Sequence, residues 1–199
     1  RVQQAVVVVD RLSEILESPS RVPLALKAKP FPKDWSEIEF RNVSFSYGKN
    51  EVLKSVSLKI RKGEVLAFVG ASGSGKSTLV NLLERFYDPS SGEIFIDGVN
   101  LLEFDLKDLR LHLGYVTQDV FLFRDSIERN IWAGNFSKDV AGVEHAAKLA
   151  NAHDFITKTP LKYQTSVGDR GSLLSGGEKQ RISIARAIFK DAPILILDE

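Results

Sequence analysis

The run Gly70-Ala71-Ser72-Gly73-Ser74-Gly75-Lys76-Ser77 fits G-x-x-x-x-G-K-[ST], a spacing that lets backbone wrap around a chain of phosphates. Its glycines remove the side chains that would hold phosphate oxygens away from successive N–H groups. A helix opening at Lys76 would add its positive N-terminal end. Lys76 is suited to bridging β- and γ-phosphates, and the Ser77 hydroxyl to ligating Mg²⁺. The alternative, a flexible Gly-Ser loop, needs neither an apolar strand before it nor a helix after it. Near the end of the chain, Ile194-Leu195-Ile196-Leu197 run into Asp198 and Glu199. Alone, that is a strand meeting a loop. Beside a phosphate loop, Asp198 would hold the metal directly or through water, and Glu199 would polarise an attacking water. Between the two lies Leu174-Ser175-Gly176-Gly177-Glu178, a Ser-Gly-Gly turn opening another helix. Ser175 and Glu178 have capping-box spacing, and the same helix N-terminus suits a phosphate.

The elements that must position these groups are legible in part. Val2, Val6, Val9, Leu12 and Leu16 recur at helical spacing, and residues 18–35 hold four of the seven prolines. We expect an amphipathic helix followed by a semi-extended surface linker. Ile38 and Phe40 alternate with charged neighbours, then Val43, Phe45 and Tyr47 take the opposite phase, which predicts a bulge near Asn42. Val56, Leu58 and Ile60 form a second alternating strand after a turn at Gly48-Lys49-Asn50. This half is expected to be antiparallel sheet with one solvated face. Val65-Leu66-Ala67-Phe68-Val69 is continuously apolar, as in a strand buried on both faces of a parallel sheet. A helix over Lys76 to Phe86, a strand around Ile94 to Ile96, a helical stretch from about Asp119 to Leu161, and a helix over Gly177 to Phe189 complete the pattern.

The chain has 199 residues, 43% of them hydrophobic and 27% charged, which is the composition of a globular domain with a substantial core. Twenty-seven basic against 26 acidic residues leave a net charge of +1, with no general attraction for nucleic acid or anionic lipid. Cysteine is absent, which excludes disulfides, thiolate metal sites and cysteine nucleophiles. Methionine is also absent, and the sequence closes on an apolar strand, so we expect a piece of a longer protein.

Taken in order, these motifs make the chain resemble the ATP-binding cassette (ABC) ATPase domains from about Ile38 to Glu199. The resemblance implies that Tyr47 stacks on adenine and that Gly70, Ser72, Gly73, Ser74, Gly75, Lys76, Ser77 and Thr78 belong to the Walker A loop. Gln118 matches the Q-loop glutamine, which contacts Mg²⁺ and senses the transmembrane partner. Leu174 to Glu178 match the signature, whose Ser175, Gly176 and Gly177 would cap the γ-phosphate held by a second domain. Ile194 to Asp198 match the Walker B strand, with Glu199 catalytic. The implied ligands are ATP and Mg²⁺, the metal being held by Ser77, Gln118 and Asp198, with Lys76, Gln118 and Glu199 active in hydrolysis.

Two stretches resemble the exporter branch of that family: Gln118-Asp119-Val120-Phe121-Leu122-Phe123 with Ser126-Ile127 and Asn130-Ile131, and the X-loop-like Thr165 to Gly171. Glu178 departs from the usual signature glutamine, and Lys162 stands before Tyr163 where exporters often have glycine. The D-loop and switch histidine of the family lie beyond Glu199; His112, His145 and His153 read as surface or packing residues. The implied fold is α/β: a P-loop NTPase core with a mostly parallel sheet, an N-terminal antiparallel β subdomain and a helical subdomain at about 119–176. Residues 1–35 would be a helix and Pro-rich linker from a preceding transmembrane domain, and residues 36–199 the ATPase domain. The implied function is ATP hydrolysis powering export of a solute, as a head-to-tail homodimer with two composite ATP sites at the cytoplasmic face of a membrane. A different class, a nucleotide-gated clamp on DNA or ribosomes, is disfavoured by the charge balance and by the lack of long coiled-coil heptads, so no nucleic-acid partner is expected.

Overall fold

Alternation of apolar and charged residues makes a strand of Glu37–Tyr47 (β1), and a tight turn at Gly48-Lys49 folds Asn50–Arg61 (β2) back against it. The structure, a computed structural model, describes residues 11–13, 22–133 and 140–198. It divides into two compact units, Arg1–Asp105 and Leu106–Glu199. The helix expected at the start of the chain lies largely outside the described residues; residues 11–13 are helical.

Strands Ser91–Ile96 (β3) and Val99–Asn100 (β4) complete the sheet of the first unit, in the order β2-β1-β3-β4 with every pairing antiparallel. The bulge expected near Asn42 is present. Phe40 pairs with Leu58 and Val43 with Val56, so β1 spends one residue more than its partner. Ile38, Phe40, Val43 and Phe45 are therefore all buried on one face, although their sequence phase changes midway. Asn42 adopts φ 49°, and its N–H donates to the Ser57 hydroxyl at 2.9 Å. The opposite face is charged: Lys59 pairs with Glu39 at 3.1 Å, Arg41 also pairs with Glu39, and the Arg41 guanidinium lies 4.1 Å from the Phe95 ring centre. Such exposed pairs add little stability; they keep that face wet.

The Pro-rich stretch departs from a surface linker. Leu24 and Leu26 are exposed, but Val22, Phe31 and Trp35 are buried. Lys29 forms a bridge with Phe104, donating its N–H to Glu103 O and accepting from Asp105 N, both at 2.8 Å. Proline removes donors from a segment without preventing its side chains from packing, and three apolar residues are enough to seat this one. The phosphate-loop helix is Lys76–Leu83 (α1), ending before the expected Phe86. The stop is made by Arg85, which takes φ 52° and is buried to 1% exposure. Its guanidinium donates to Asp88 Oδ1 at 3.2 Å, Leu102 O at 3.4 Å and Pro23 O at 2.9 Å.

One expected strand does not form. Residues 65–69 have no regular secondary structure, and Val65 and Val69 are exposed at 97% and 95%. An apolar run becomes a buried strand only when neighbours complete its ladder. Among the described residues no strand pairs with it.

The second unit opens with Leu106–Leu111 (α2) and Leu113–Val116 (β5). Helices Ile127–Trp132 (α3), Val140–Leu149 (α4), His153–Lys158 (α5) and Gly176–Phe189 (α6) follow, and Ile194–Leu197 (β6) is the last described strand. The parallel part of the fold is β5 against β6, in register from Leu113↔Ile194 to Val116↔Leu197. The helical stretch packs as its periodicity predicts: Val143, Ala146, Ala147 and Ala150 bury against Ile127, Ile131, Ile182 and Ala185.

Candidate nucleotide-binding site

In the first unit the glycine loop leads into α1 as its sequence requires. Gly75 is the N-cap, left-handed at φ 92°, and a Cβ there would stand 2.7 Å from Leu53 Cδ2. Both conditions demand glycine. Residues 71–74 and Ser77 are exposed, whereas Thr78 is buried to 6%. Lys76 curls back over its own loop, its Nζ donating to Gly70 O and Ala71 O at 3.0 Å each. A triphosphate offers that ammonium a charged acceptor, and charge-assisted bonds are about twice as strong as those to neutral carbonyls. Tyr47 ends β1 with 40% exposure. Asn81 Nδ2 donates to its hydroxyl at 3.4 Å, and the rings of Phe45 and Tyr87 meet it edge-on at 4.8 and 5.2 Å. The first unit thus carries Tyr47 and the loop together, joined through Asn81 of α1, a residue the motif pattern does not include.

In the second unit the parallel register brings Gln118 and Asp198 to the same carboxyl edge. Val116 pairs with Leu197, so Asp198 comes one residue and Gln118 two residues after paired strand ends. Asp198 N–H donates to Val116 O at 3.0 Å, and Tyr115 Oη donates to Asp198 Oδ2 at 3.2 Å. Gln118 is exposed. Glu199 lies outside the described residues.

The signature turn caps α6. Ser175 is the N-cap, and its Oγ accepts from Glu178 N–H at 3.4 Å and donates to Glu178 Oε2 at 2.7 Å; its N–H donates to the same carboxylate at 2.8 Å. Ser175's hydroxyl and N–H, with Arg181 nearby, hold the Glu178 carboxyl below the usual range. The glutamate that departs from the family pattern is therefore consumed in capping. Gly176 and Gly177 have ordinary helical backbone. A Cβ on Gly176 would meet nothing within 4 Å, and one on Gly177 only Arg181 Nη1 at 3.7 Å. The chain itself does not require glycine at either position.

A buried polar knot ties this helix to the segment after Gln118. Asn130 is fully buried; its Nδ2 donates to Phe123 O and Ser126 O at 3.0 Å, and its Oδ1 accepts from Phe123 N at 2.8 Å. From α6, Arg186 donates to Asn130 O at 2.7 Å, Asn130 Oδ1 at 3.1 Å and Phe121 O at 3.0 Å. Burial lowers the Arg186 pKa, and these acceptors offset the cost. Asn130 belongs to the exporter-like stretch but has no site role there, and Arg186 is in no motif; each interrupts an apolar helical face, which is a usable sign of a buried polar contact. The X-loop-like stretch joins the same body: Ile127 N–H donates to Thr165 O and Val167 N–H to Asp125 O, both at 3.0 Å. Asn130→Ala strips partners from Phe123 N–H and Arg186, so we expect a loss of about 3 kcal/mol. Denaturant unfolding measures it; a change under about 0.5 kcal/mol would contradict the knot's importance.

For a metal, the described residues contain no cluster of three or more His, Asp or Glu. The Ser77 hydroxyl of the first unit, and the Gln118 amide and Asp198 carboxylate of the second, are each hard oxygen donors. Donors of this chemical type are the ones Mg²⁺ takes, through one or two carboxylates plus substrate phosphates. No helix among the described residues is long and apolar enough to cross a membrane.

A glycine loop opening a helix, a carboxylate at a parallel strand end and a glycine-bearing helix N-terminus define a nucleotide-binding domain of the phosphate-loop α/β class. The chain belongs to the ABC transporter family, whose profile matches residues 53–199. It is 46% identical over 198 residues to the ATP-dependent lipid A-core flippase of Syntrophus aciditrophicus (strain SB), covering 100% of this chain and 33% of that protein. A Staphylococcus aureus (strain NCTC 8325 / PS 47) protein provisionally named a multidrug export ATP-binding/permease protein is 51% identical over 174 residues, 86% of this chain and 30% of its own length. Among solved structures, a bacterial Atm1-family ABC exporter with ATP bound superposes with a TM-score of 0.93 at 40% identity, over 100% of this chain and 35% of that one. The chain thus spans about a third of the length of the curated relatives it matches.

Proposed function

We propose that the chain binds and hydrolyses ATP as the nucleotide-binding domain of an exporter, and that two such domains close head to tail around two composite ATP sites. The observation that carries the dimer is the pair Gly176 and Gly177: exposed, unstrained, and with open space where side chains would fit. Glycine costs an α-helix up to about 1 kcal/mol relative to alanine. Keeping two of them at an exposed, serine-capped N-terminus makes sense if something must approach the backbone closely, and a helix N-terminus favours a phosphate.

Within one site, Tyr47 stacks on the base, residues 70–75 wrap the phosphates, and Lys76 turns from its loop carbonyls to the β- and γ-oxygens. Ser77, Gln118 and Asp198 would hold Mg²⁺, which when bound neutralises charge on those oxygens. Glu199 takes a proton from the attacking water as general base. Ser175, Gly176 and Gly177 of one domain meet the γ-phosphate held by the other. The names of the relatives support a parent chain with its own membrane domain, the ATPase part lying at the cytoplasmic face. Cargo selection belongs to that membrane domain.

Gly177→Asp separates this reading from a purely structural one. A carboxylate in the first turn of α6 favours the helix by about 0.3–1 kcal/mol, yet it faces the proposed phosphate. In the full-length protein we expect an unchanged or higher melting temperature with ATP turnover reduced about 100-fold. Full turnover would refute the shared site.

A further inference from the structure

Tyr115 lies in β5 opposite Ile196, and Asp198 follows Ile196 by two residues, immediately past the end of β6. That is the diagonal relation between neighbouring strands, a separation within reach of a long aromatic side chain. The Tyr115 hydroxyl covers it, donating to Asp198 Oδ2 at 3.2 Å. The Asp198 main chain is fixed by the same strand, through the bond from its N–H to Val116 O. One carboxylate thus receives its backbone position and the plane of its oxygens from β5, the strand that runs on into Gln118. Packing alone would be served equally by phenylalanine; only the hydroxyl makes the contact with the carboxylate.

We infer that Tyr115 is a positioning residue for Asp198, presetting the carboxylate that the proposed Mg²⁺ site uses. The inference rests on reading Asp198 as a metal-holding group. A carboxylate offers about four lone-pair positions, so one bond from a phenol orients it and leaves capacity for a cation. Partners of this kind in the outer shell of metal sites typically alter metal affinity or activity by about 10–100-fold when removed.

The test uses the full-length protein with Mn²⁺ as the spectroscopic probe, titrated by electron paramagnetic resonance in the presence of a non-hydrolysable ATP analogue. Tyr115→Phe is expected to weaken Mn²⁺ binding about tenfold. It should leave analogue affinity in EDTA and the melting temperature unchanged. In turnover assays the Mg²⁺ concentration giving half-maximal rate should rise by about the same factor, with the rate recovered at saturating Mg²⁺. Asp198→Ala, run alongside, should weaken Mn²⁺ binding more than Tyr115→Phe does. If Asp198→Ala weakens Mn²⁺ binding and Tyr115→Phe does not, Tyr115 only packs and the inference is overturned. If neither variant changes Mn²⁺ binding, Asp198 is not the metal-holding group, and the reading of the site fails with it. A lowered melting temperature with Mn²⁺ affinity intact would also assign Tyr115 a purely structural part.

Discussion

Lys76→Ala in the full-length protein is expected to lower steady-state ATP turnover by about 10²–10³-fold, the loss typical of removing one preorganised charge-stabilising donor. Lys76 is the only basic residue between Gly70 and Thr78, so nothing else in the loop replaces its charge. Its present bonds to Gly70 O and Ala71 O are to neutral acceptors and concern the loop's own closure. Losing them costs little stability, and alanine is the better helix former at the start of α1. The fold should therefore survive while nucleotide affinity and turnover both fall. Turnover and titration with a fluorescent ATP analogue read the two effects separately. Turnover within about twofold of the parent protein would remove Lys76 from the site.

Glu199→Gln should have a comparable effect on rate and the opposite effect on the bound state. The substitution keeps the size of the side chain and removes the base, so the chemical step slows by about 10²–10⁴-fold. On the proposed function, ATP should still bind through the loop of residues 70–78, and the closed dimer should persist because the reaction that opens it is blocked. The expected signature is ATP-dependent accumulation of a cross-linked or larger species by the variant under conditions where the parent protein cycles. In sequence, Glu199 follows Asp198, whose N–H is bonded to Val116 O of β5. Rapid turnover by this variant would falsify the catalytic assignment.

Those two experiments rely on motifs that sequence reading finds easily, and the reason is physical. The glycine loop, the Ser175 cap and the acidic end of β6 are each made by a few consecutive residues. Their geometry follows from local constraints, such as the left-handed Gly75 and the capping box of Ser175 with Glu178. The bulge at Asn42 was visible for a similar reason, since a change of phase in the apolar pattern forces an extra residue wherever both halves face one core. Residues 65–69 show where such reading stops. Their apolar character is a fact of composition, whereas strand formation depends on partners supplied from elsewhere. The Pro-rich segment errs in the other direction: its prolines promised a semi-extended surface linker, and its bridge to Phe104 and the Arg85–Pro23 bond pack it into the first unit.

By itself the sequence determined the candidates for the chemistry: the glycine loop proposed to wrap phosphates, the carboxylate proposed for a metal, and the glycine-bearing helix N-terminus. The tertiary structure decided which other groups govern them. Asn130 and Arg186 are 56 positions apart, and Tyr115 and Asp198 are 83 apart. No local rule connects such pairs, because each bond exists only after helix packing or strand register has brought its members together. The cost of burying an unpaired polar group then makes those arrangements specific. Motifs are written in consecutive residues because backbone geometry is local; the side chains that orient them are chosen by the fold.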